Sequence, residues 1–361
     1  MIFILCFFIL SALAFGCYPA KQEPKGSPGI LLYKGALYIG LEGKVRALSP
    51  EDGKLLSSYP SGKEKIGALY HAPIAQDEMI YFGTFESGSK GRVYALEIKR
   101  GEMELKWVYP PFKAEPKGAF VGAPLIFRDE LIAASSDGRI YAIDMEMGGL
   151  RWKYPEEGNL GRIWSSPALG SDERIYFGSA DRHLYAFDLE RKEIAWKWKA
   201  GGAIFSTPLV VGNTIYAGSF DGNLYALEDL GERCELLWKF PTGGWIWTTP
   251  AIYRGKLYFG SFDRKVYEVD VRSGRGRALF SAEAPVLAPP LIIDGILLVG
   301  DEKGNVYGWD LEKGDFAWEK FDLGGSIRGP FVREGDKVFV VAGKSIWAFD
   351  GRTGGDRKRI R

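Results

Sequence analysis

The sequence predicts an all-β fold, an eight-bladed β-propeller in which every blade is a four-stranded antiparallel sheet. Three observations carry that reading. Eight prolines recur at one point of a pattern, Pro28, Pro73, Pro124, Pro167, Pro208, Pro250, Pro290 and Pro330, at intervals of 40 to 51 residues. Residues 28–361 divided among eight units give about 42 residues each, within the ~40–50 residues of a propeller blade. Each unit holds four short runs of strand-forming residues and shows no helical periodicity.

Composition agrees with a chain built of tight turns and strands. Of 361 residues, 46% are hydrophobic and 14% aromatic, and 47 are glycine. A length near 360 sets a prior of two to three domains, but the repeat outweighs it. The 47 basic residues against 46 acidic ones leave a net charge of +1, which excludes a nucleic-acid binder that works by neutralising phosphates. Three cysteines and two histidines argue against a disulfide scaffold and against a histidine-based metal enzyme.

The chain opens on a processing signal. Ile2–Phe15 is an almost unbroken apolar run of fourteen residues. As a helix it spans about 21 Å, short of the ~30 Å hydrocarbon core. It therefore reads as the signal peptide, residues 1–16. Leu13-Ala14-Phe15-Gly16-Cys17 resembles a bacterial lipobox, and Cys17 becomes the lipidated N-terminus of a tether over 17–27. Tyr18 follows the cysteine where Asp would be the inner-membrane retention signal, so by that resemblance the protein faces the periplasm from the outer membrane. With Cys6 discarded and Cys17 lipidated, Cys234 is left alone and no intramolecular disulfide can form.

Inside each repeat, one strand follows the proline. A second ends in glycine or another small residue, as in Ile175-Tyr176-Phe177-Gly178 and Leu257-Tyr258-Phe259-Gly260. A third begins at Tyr nine residues after the aromatic of the second, at 176 to 185, 216 to 225 and 258 to 267. A tight turn joins the two. Asp137-Gly138, Asp221-Gly222, Lys303-Gly304 and Lys90-Gly91 align there with Asp181-Arg182 and Asp263-Arg264. Asp-Gly predicts a two-residue type I′ hairpin, both central residues at positive φ; Arg at that point carries a Cβ penalty. The fourth strand centres on Trp, as in Ala142-x-Asp144, Gly148, Trp152 and Gly308-x-Asp310, Gly314, Trp318; Lys192 replaces the glycine before Trp196. Repeats one and eight are the least regular, with Arg46 and Trp347 at the Tyr position, which fits terminal units that must seal a ring. Gly355–Arg361 is the predicted last outer strand.

The run Tyr-Ala-x-Asp-x-x-x-Gly-x-x-x-Trp resembles the tryptophan-docking motif of the pyrroloquinoline-quinone (PQQ) type propeller family, over essentially the whole mature chain. That family has a branch of quinoprotein dehydrogenases, with PQQ and calcium in the central channel. It also has a branch of non-catalytic BamB-type lipoproteins that serve the β-barrel assembly machinery. Length, lipobox and single propeller resemble the second branch more. The first would bring adjacent cysteines and a cluster of oxygen ligands, since calcium takes six to eight of them. Here no two cysteines are adjacent, and the Asp residues fall at turns or after Tyr-Ala-x, spread over the repeats.

Candidate site residues follow from the repeat. His71 and Arg328 stand two residues before the proline, where other copies have Ser165, Ser206 and Thr248. That point begins the innermost strand, so these five are candidate channel-facing residues, and His71 is the one suited to titrate near neutral pH. One residue earlier come Tyr70, Trp164, Phe205 and Trp247, rim aromatics that either stack a flat ligand or peptide or fill gaps between blades. Repeat two adds a longer hairpin at 86–90 and a Pro-rich extension over 110–117, whose Pro110, Pro111, Phe112, Lys113, Glu115 and Lys117 form a candidate partner loop. Repeat five has a smaller insertion at 229–234.

The sequence therefore reads as a lipid-anchored periplasmic scaffold that binds an envelope protein, with the outer-membrane assembly machinery as the foremost partner. It needs no catalytic residue, metal or cofactor. Two alternatives stand beside it: a PQQ- and calcium-dependent quinoprotein dehydrogenase acting on alcohols or sugars, and a non-catalytic ligand-sensing propeller.

Overall fold

The computed structural model describes residues 29–115 and 117–361. The expected signal peptide and tether, with Cys17, and also Pro28 and Pro116 lie outside the described residues. Eight four-stranded sheets follow one another at 30–59, 74–109, 125–154, 168–199, 209–241, 251–281, 291–322 and 332–359. These are blades 1 to 8. In every blade the strand order is the chain order and all neighbours are antiparallel, as in blade 4 with Ala168–Leu169, Arg174–Gly178, His183–Asp188 and Glu193–Lys199. First strands touch between blades 8 and 1, 4 and 5, and 6 and 7, as innermost strands of a ring do. No α-helix occurs among the described residues.

The core is a circle of eight apolar clusters, one at each blade-to-blade seam. A lone blade would leave both faces wet; stacking removes that surface from water, and closure leaves only short edges. The closing seam packs Ile30, Leu37 and Ile39 of blade 1 against Phe339, Val341, Ile346 and Ile360 of blade 8. No sheet is shared across it: the last outer strand is Lys358–Arg359, paired to Trp347 and Ala348. The seam is completed by Lys337 and Lys358, whose ammonium groups donate to the Pro50 and Glu51 carbonyls at 2.8 and 3.0 Å.

Tryptophan docking spans two blades. Trp107, Trp152, Trp196 and Trp238 stand opposite Ala95, Ala142, Ala186 and Ala226 on their own third strands, and Trp318 opposite Gly308. The small partner leaves room for the indole to lie across the sheet towards the second strand, where Tyr81, Tyr176 and Tyr216 meet it at ring distances of 5.9, 5.8 and 5.7 Å. The far side of the ring rests on the next blade. A Cβ on Gly148 would stand 2.5 Å from the Trp107 ring, and Gly274 and Gly354 relate in the same way to Trp238 and Trp318. In blade 4, Lys192 takes the glycine's place at φ 58° and lays its ammonium over Trp152.

The hairpins between second and third strands differ from the type I′ expectation. In blades 3 to 7 only one central residue has positive φ: Gly138, Arg182, Gly222, Arg264 and Gly304. Each donates its N–H to the residue three back, as Gly138 does to the Ser135 carbonyl at 3.0 Å. The result is a four-residue turn followed by a left-handed position, so one residue, not two, needs the strained region. Lys90-Gly91 does not align with these turns either. The blade 2 hairpin is longer, closed by Thr84 and Arg92, and Lys90–Gly91 pairs instead with Lys117–Gly118.

Candidate functional site on the link face

One end of the ring carries the links that bring the chain from each outer strand back to the hub, together with the second-to-third-strand hairpins. The two are tied by a recurring backbone bond. Ala180, Phe220, Phe262 and Glu302 N–H donate to the Arg162, Ala203, Trp245 and Pro285 carbonyls of the adjoining links at 2.9–3.0 Å.

Burial alternates from residue to residue along each link, the pattern of side chains on extended chain. Ile163, Ile204, Ile246 and Ile327 are fully buried. Three of them plug against the glycine ending a second strand: a Cβ on Gly178, Gly218 or Gly300 would stand 2.2–2.5 Å from Ile204, Ile246 or Ile327. This close approach is why the second strand ends in glycine. The next residue points outward, and the one after turns in again.

That alternation corrects part of the expected channel lining. Ser165, Ser206 and Thr248 are buried and do not face the channel. Their hydroxyls donate to the Gly178, Gly218 and Gly260 carbonyls at 3.1, 2.9 and 3.1 Å, and the first two also accept the glycine N–H. They lock the link to its own blade. His71 and Arg328 do not repeat the lock. His71 Nδ1 lies 2.8 Å from the Val121 carbonyl of the next link, and the protein around it holds its pKa below the ordinary imidazole value despite that bond. Arg328 is exposed and pairs with Glu302 at 2.6 Å.

The outward positions gather into an aromatic arc. Trp164, Phe205 and Trp247 come from three links, Trp245 lies two residues before Trp247, and Phe220 and Phe262 come from hairpin tips. Trp164 meets Phe205 at 5.0 Å, Phe205 meets Phe220 at 5.0 Å, and Phe220 stacks on Trp245 at 4.6 Å with planes 4° apart. Trp247 closes on Phe205, Phe220 and Trp164 at 5.8, 5.4 and 6.4 Å, and Trp245 reaches Phe262 at 5.3 Å. All six rings are partly exposed. Tyr70 makes the same link-to-hairpin contact in blade 2, with Phe85 at 5.5 Å, apart from the arc. Single-residue repeat spacing located Trp164, Phe205 and Trp247; Phe220, Trp245 and Phe262 went unmarked, although Phe220 and Phe262 share one offset from their turn aspartates.

The Pro-rich extension is pinned to blade 2 by one buried side chain. The Arg92 guanidinium donates to the Pro110, Pro111 and Ala114 carbonyls at 2.7, 3.0 and 3.2 Å and lies over the Phe112 ring. Phe112 and Lys113 are exposed, and Glu115 pairs with Lys90 at 3.6 Å. The blade 5 insertion is anchored too: Asp229 is buried and accepts from the Tyr176 hydroxyl at 2.5 Å and from Arg174 at 3.1 Å. Cys234 is half-buried, its thiol pushed up to about 11 by burial.

Among the described residues no group of three or more His, Cys, Asp or Glu is placed to hold a metal ion, and the Ser165, Ser206 and Thr248 hydroxyls are committed to their own blades.

Sequence and structure comparisons then bear directly on this ring. The family model described as outer membrane protein assembly factor BamB matches residues 20–154, 136–279 and 280–357. The chain belongs to the BamB family. Two solved structures share the fold of this BamB-family chain. BamB from Moraxella catarrhalis aligns with a TM-score of 0.70 and 18% identity over 91% of this chain and 94% of its own. The computationally designed Ika8 protein aligns with a TM-score of 0.72 and 14% identity over 94% and 97%. No curated protein matches the sequence.

Proposed function

We propose that this protein is a lipid-anchored periplasmic scaffold of outer-membrane β-barrel assembly. It holds a protein partner on the link face and makes or breaks no bond. The observation that carries the reading is the arc of six partly exposed rings on blades 4 to 6, held by links and hairpins that are bonded to each other. Rigid aromatic side chains supply large contact area at low entropic cost, and Trp and Tyr dominate the residues that anchor protein interfaces. Membership in the BamB family supports the choice of partner, and Tyr70 and the extension around Phe112 are proposed as further contacts.

The test is co-purification of the outer-membrane assembly complex from the same cell envelope with the tagged protein. The Phe205→Ser/Trp247→Ser variant should lose about tenfold or more of the captured complex while its melting curve keeps one cooperative transition. Equal capture by this variant and the parent would overturn the assignment of the arc. Capture of no assembly component by the parent would overturn the function itself.

A further inference from the structure

In blades 3 to 6 a turn aspartate holds the hydroxyl of the Tyr four residues on, as Asp137 holds Tyr141. Blade 1 keeps that relation and changes its charge. Arg46 stands in the Tyr position, and its guanidinium donates to Glu42, four residues before it, at 2.8 Å. Blade 8 has Gly343 where the carboxylate would be, with the exposed Lys344 beside it.

The two hairpins meet at the closing seam, and the last residue joins them. The Arg361 carbonyl accepts the Ile346 N–H at 3.0 Å, two residues past Lys344, so Arg361 is fixed at the link-face end of blade 8. Burial, and then the Arg46 charge beside it, hold the Arg361 guanidinium below its ordinary pKa. Glu42 is held below the ordinary carboxylate range by Arg46 first, and then by Lys344 and Arg361. The blade 2 link adds to the group. Lys65 packs against Gly43, where a Cβ would stand 2.9 Å from its own, and Lys44 donates to the Gly62 carbonyl, next to the exposed Lys63. Lys44, Arg46, Lys63, Lys65, Lys344 and Arg361 therefore share one outer corner of the link face with Glu42, Glu64 and the Arg361 carboxylate. Of these six cations only Arg46 is ion-paired among the described residues.

We propose that this corner is a seat for the anionic phospholipid surface of the membrane that carries the anchor, an inference that rests on the lipid-anchored reading given above. Chain length points to that occupant. Gly29 enters blade 1 at the link face, packed against Ala72 of the blade 2 link. It lies twelve positions after Cys17, a reach of at most about 40 Å, so a membrane that holds Cys17 is kept close to this face. Clusters of several Lys and Arg beside a membrane bind anionic headgroups, each cation weakly and the set together. Blades 4 to 6 lie across the ring from the corner, so contact here leaves the aromatic arc open to a protein.

The test uses the chain from Tyr18 without its lipid, which keeps every residue of the eight core clusters. It is sedimented with vesicles of phosphatidylcholine alone and of phosphatidylcholine with about one-third phosphatidylglycerol. Partitioning should be about tenfold or more stronger on the anionic vesicles and should weaken as salt rises. Lys65→Glu/Lys344→Glu should lower it about tenfold or more, and Arg361→Gln, which leaves the backbone bond to Ile346, about threefold. Lys197→Glu/Lys239→Glu makes the same change of charge on the outer strands of blades 4 and 5 and should leave it within about twofold. Equal partitioning onto both vesicles, unchanged binding by the Lys65/Lys344 variant, or an equal loss in the Lys197/Lys239 variant would each overturn the seat. Displacement by inorganic phosphate at constant ionic strength would overturn it too, making the corner a site for free anions. Should the Lys65/Lys344 variant not melt in one transition, Arg361→Gln alone decides. Acylation of Cys17 is read separately, by mass spectrometry of the protein from the cell envelope; its absence would overturn the lipid-anchored reading without altering the vesicle result.

Discussion

One carboxylate closes the same turn in five blades from two different positions. In blades 3 to 6 it belongs to Asp137, Asp181, Asp221 and Asp263, each accepting the hydroxyl of the Tyr four residues on and the N–H two residues on. Blade 7 puts Lys303 there. The work passes to Asp301, at the position of Ser135, Ser179, Ser219 and Ser261, which takes the Lys303, Gly304 and Asn305 N–H groups and the Tyr307 hydroxyl. Asp301→Ala should therefore lower unfolding free energy by about 1–3 kcal/mol in urea titrations, because six donors, the Asn305 amide and the Ala284 N–H among them, lose a buried acceptor. Lys303→Ala, an exposed change, should stay within about 0.5 kcal/mol. His71 gives a prediction in pH. Burial holds its pKa down in the fold, so below about 6.5 the unfolded chain binds the proton more readily than the folded one. Stability should fall with acidification through that window until the folded value is reached. Melting midpoints between about pH 7.5 and 5 should show a shallower decline in His71→Gln than in the parent.

Links and strands act as lock and plug. Gly218→Ala should cost about 1–3 kcal/mol, since the new methyl lands 2.4 Å from an Ile246 methyl. Ile246→Ala alone should cost about 2–5 kcal/mol. The double variant should cost less than their sum, as the added methyl enters the vacated space; strict additivity in a denaturation cycle would remove the plug from the account. The extension on blade 2 depends on a single cation. Arg92→Ala strips its carbonyls of three donors, and limited proteolysis should then cut between residues 110 and 115 in the variant before the parent is cut anywhere in the ring.

At the scale of the whole ring, stability lies in the seams, and every blade shares its core with two neighbours. The closing seam holds by side chains alone, with Ile360 among them. Removing residues 356–361 takes away the last outer strand and that plug. Calorimetry should show the entire protein melting earlier in one transition. Two separated transitions would mean that the blades next to the seam unfold by themselves, contrary to a core that is continuous around the circle.

Blade number, strand order and the positions of the turns outside blade 2 were legible in the sequence, because each repeat writes its alternation and turn residues locally and eight copies make the period plain. Ser165, Ser206 and Thr248 were misplaced because alternation along an extended link decides direction, and its phase is set by which residue plugs the neighbouring strand. The sequence named Trp164, Phe205 and Trp247 but could not join them to Phe220, Trp245 and Phe262, which reach them only when three blades stack. The Tyr–Ala–Trp pattern was likewise visible as a repeat, yet its receiving glycine belongs to the next blade. Local patterning determined the sheets; packing between sheets decided the surfaces they present.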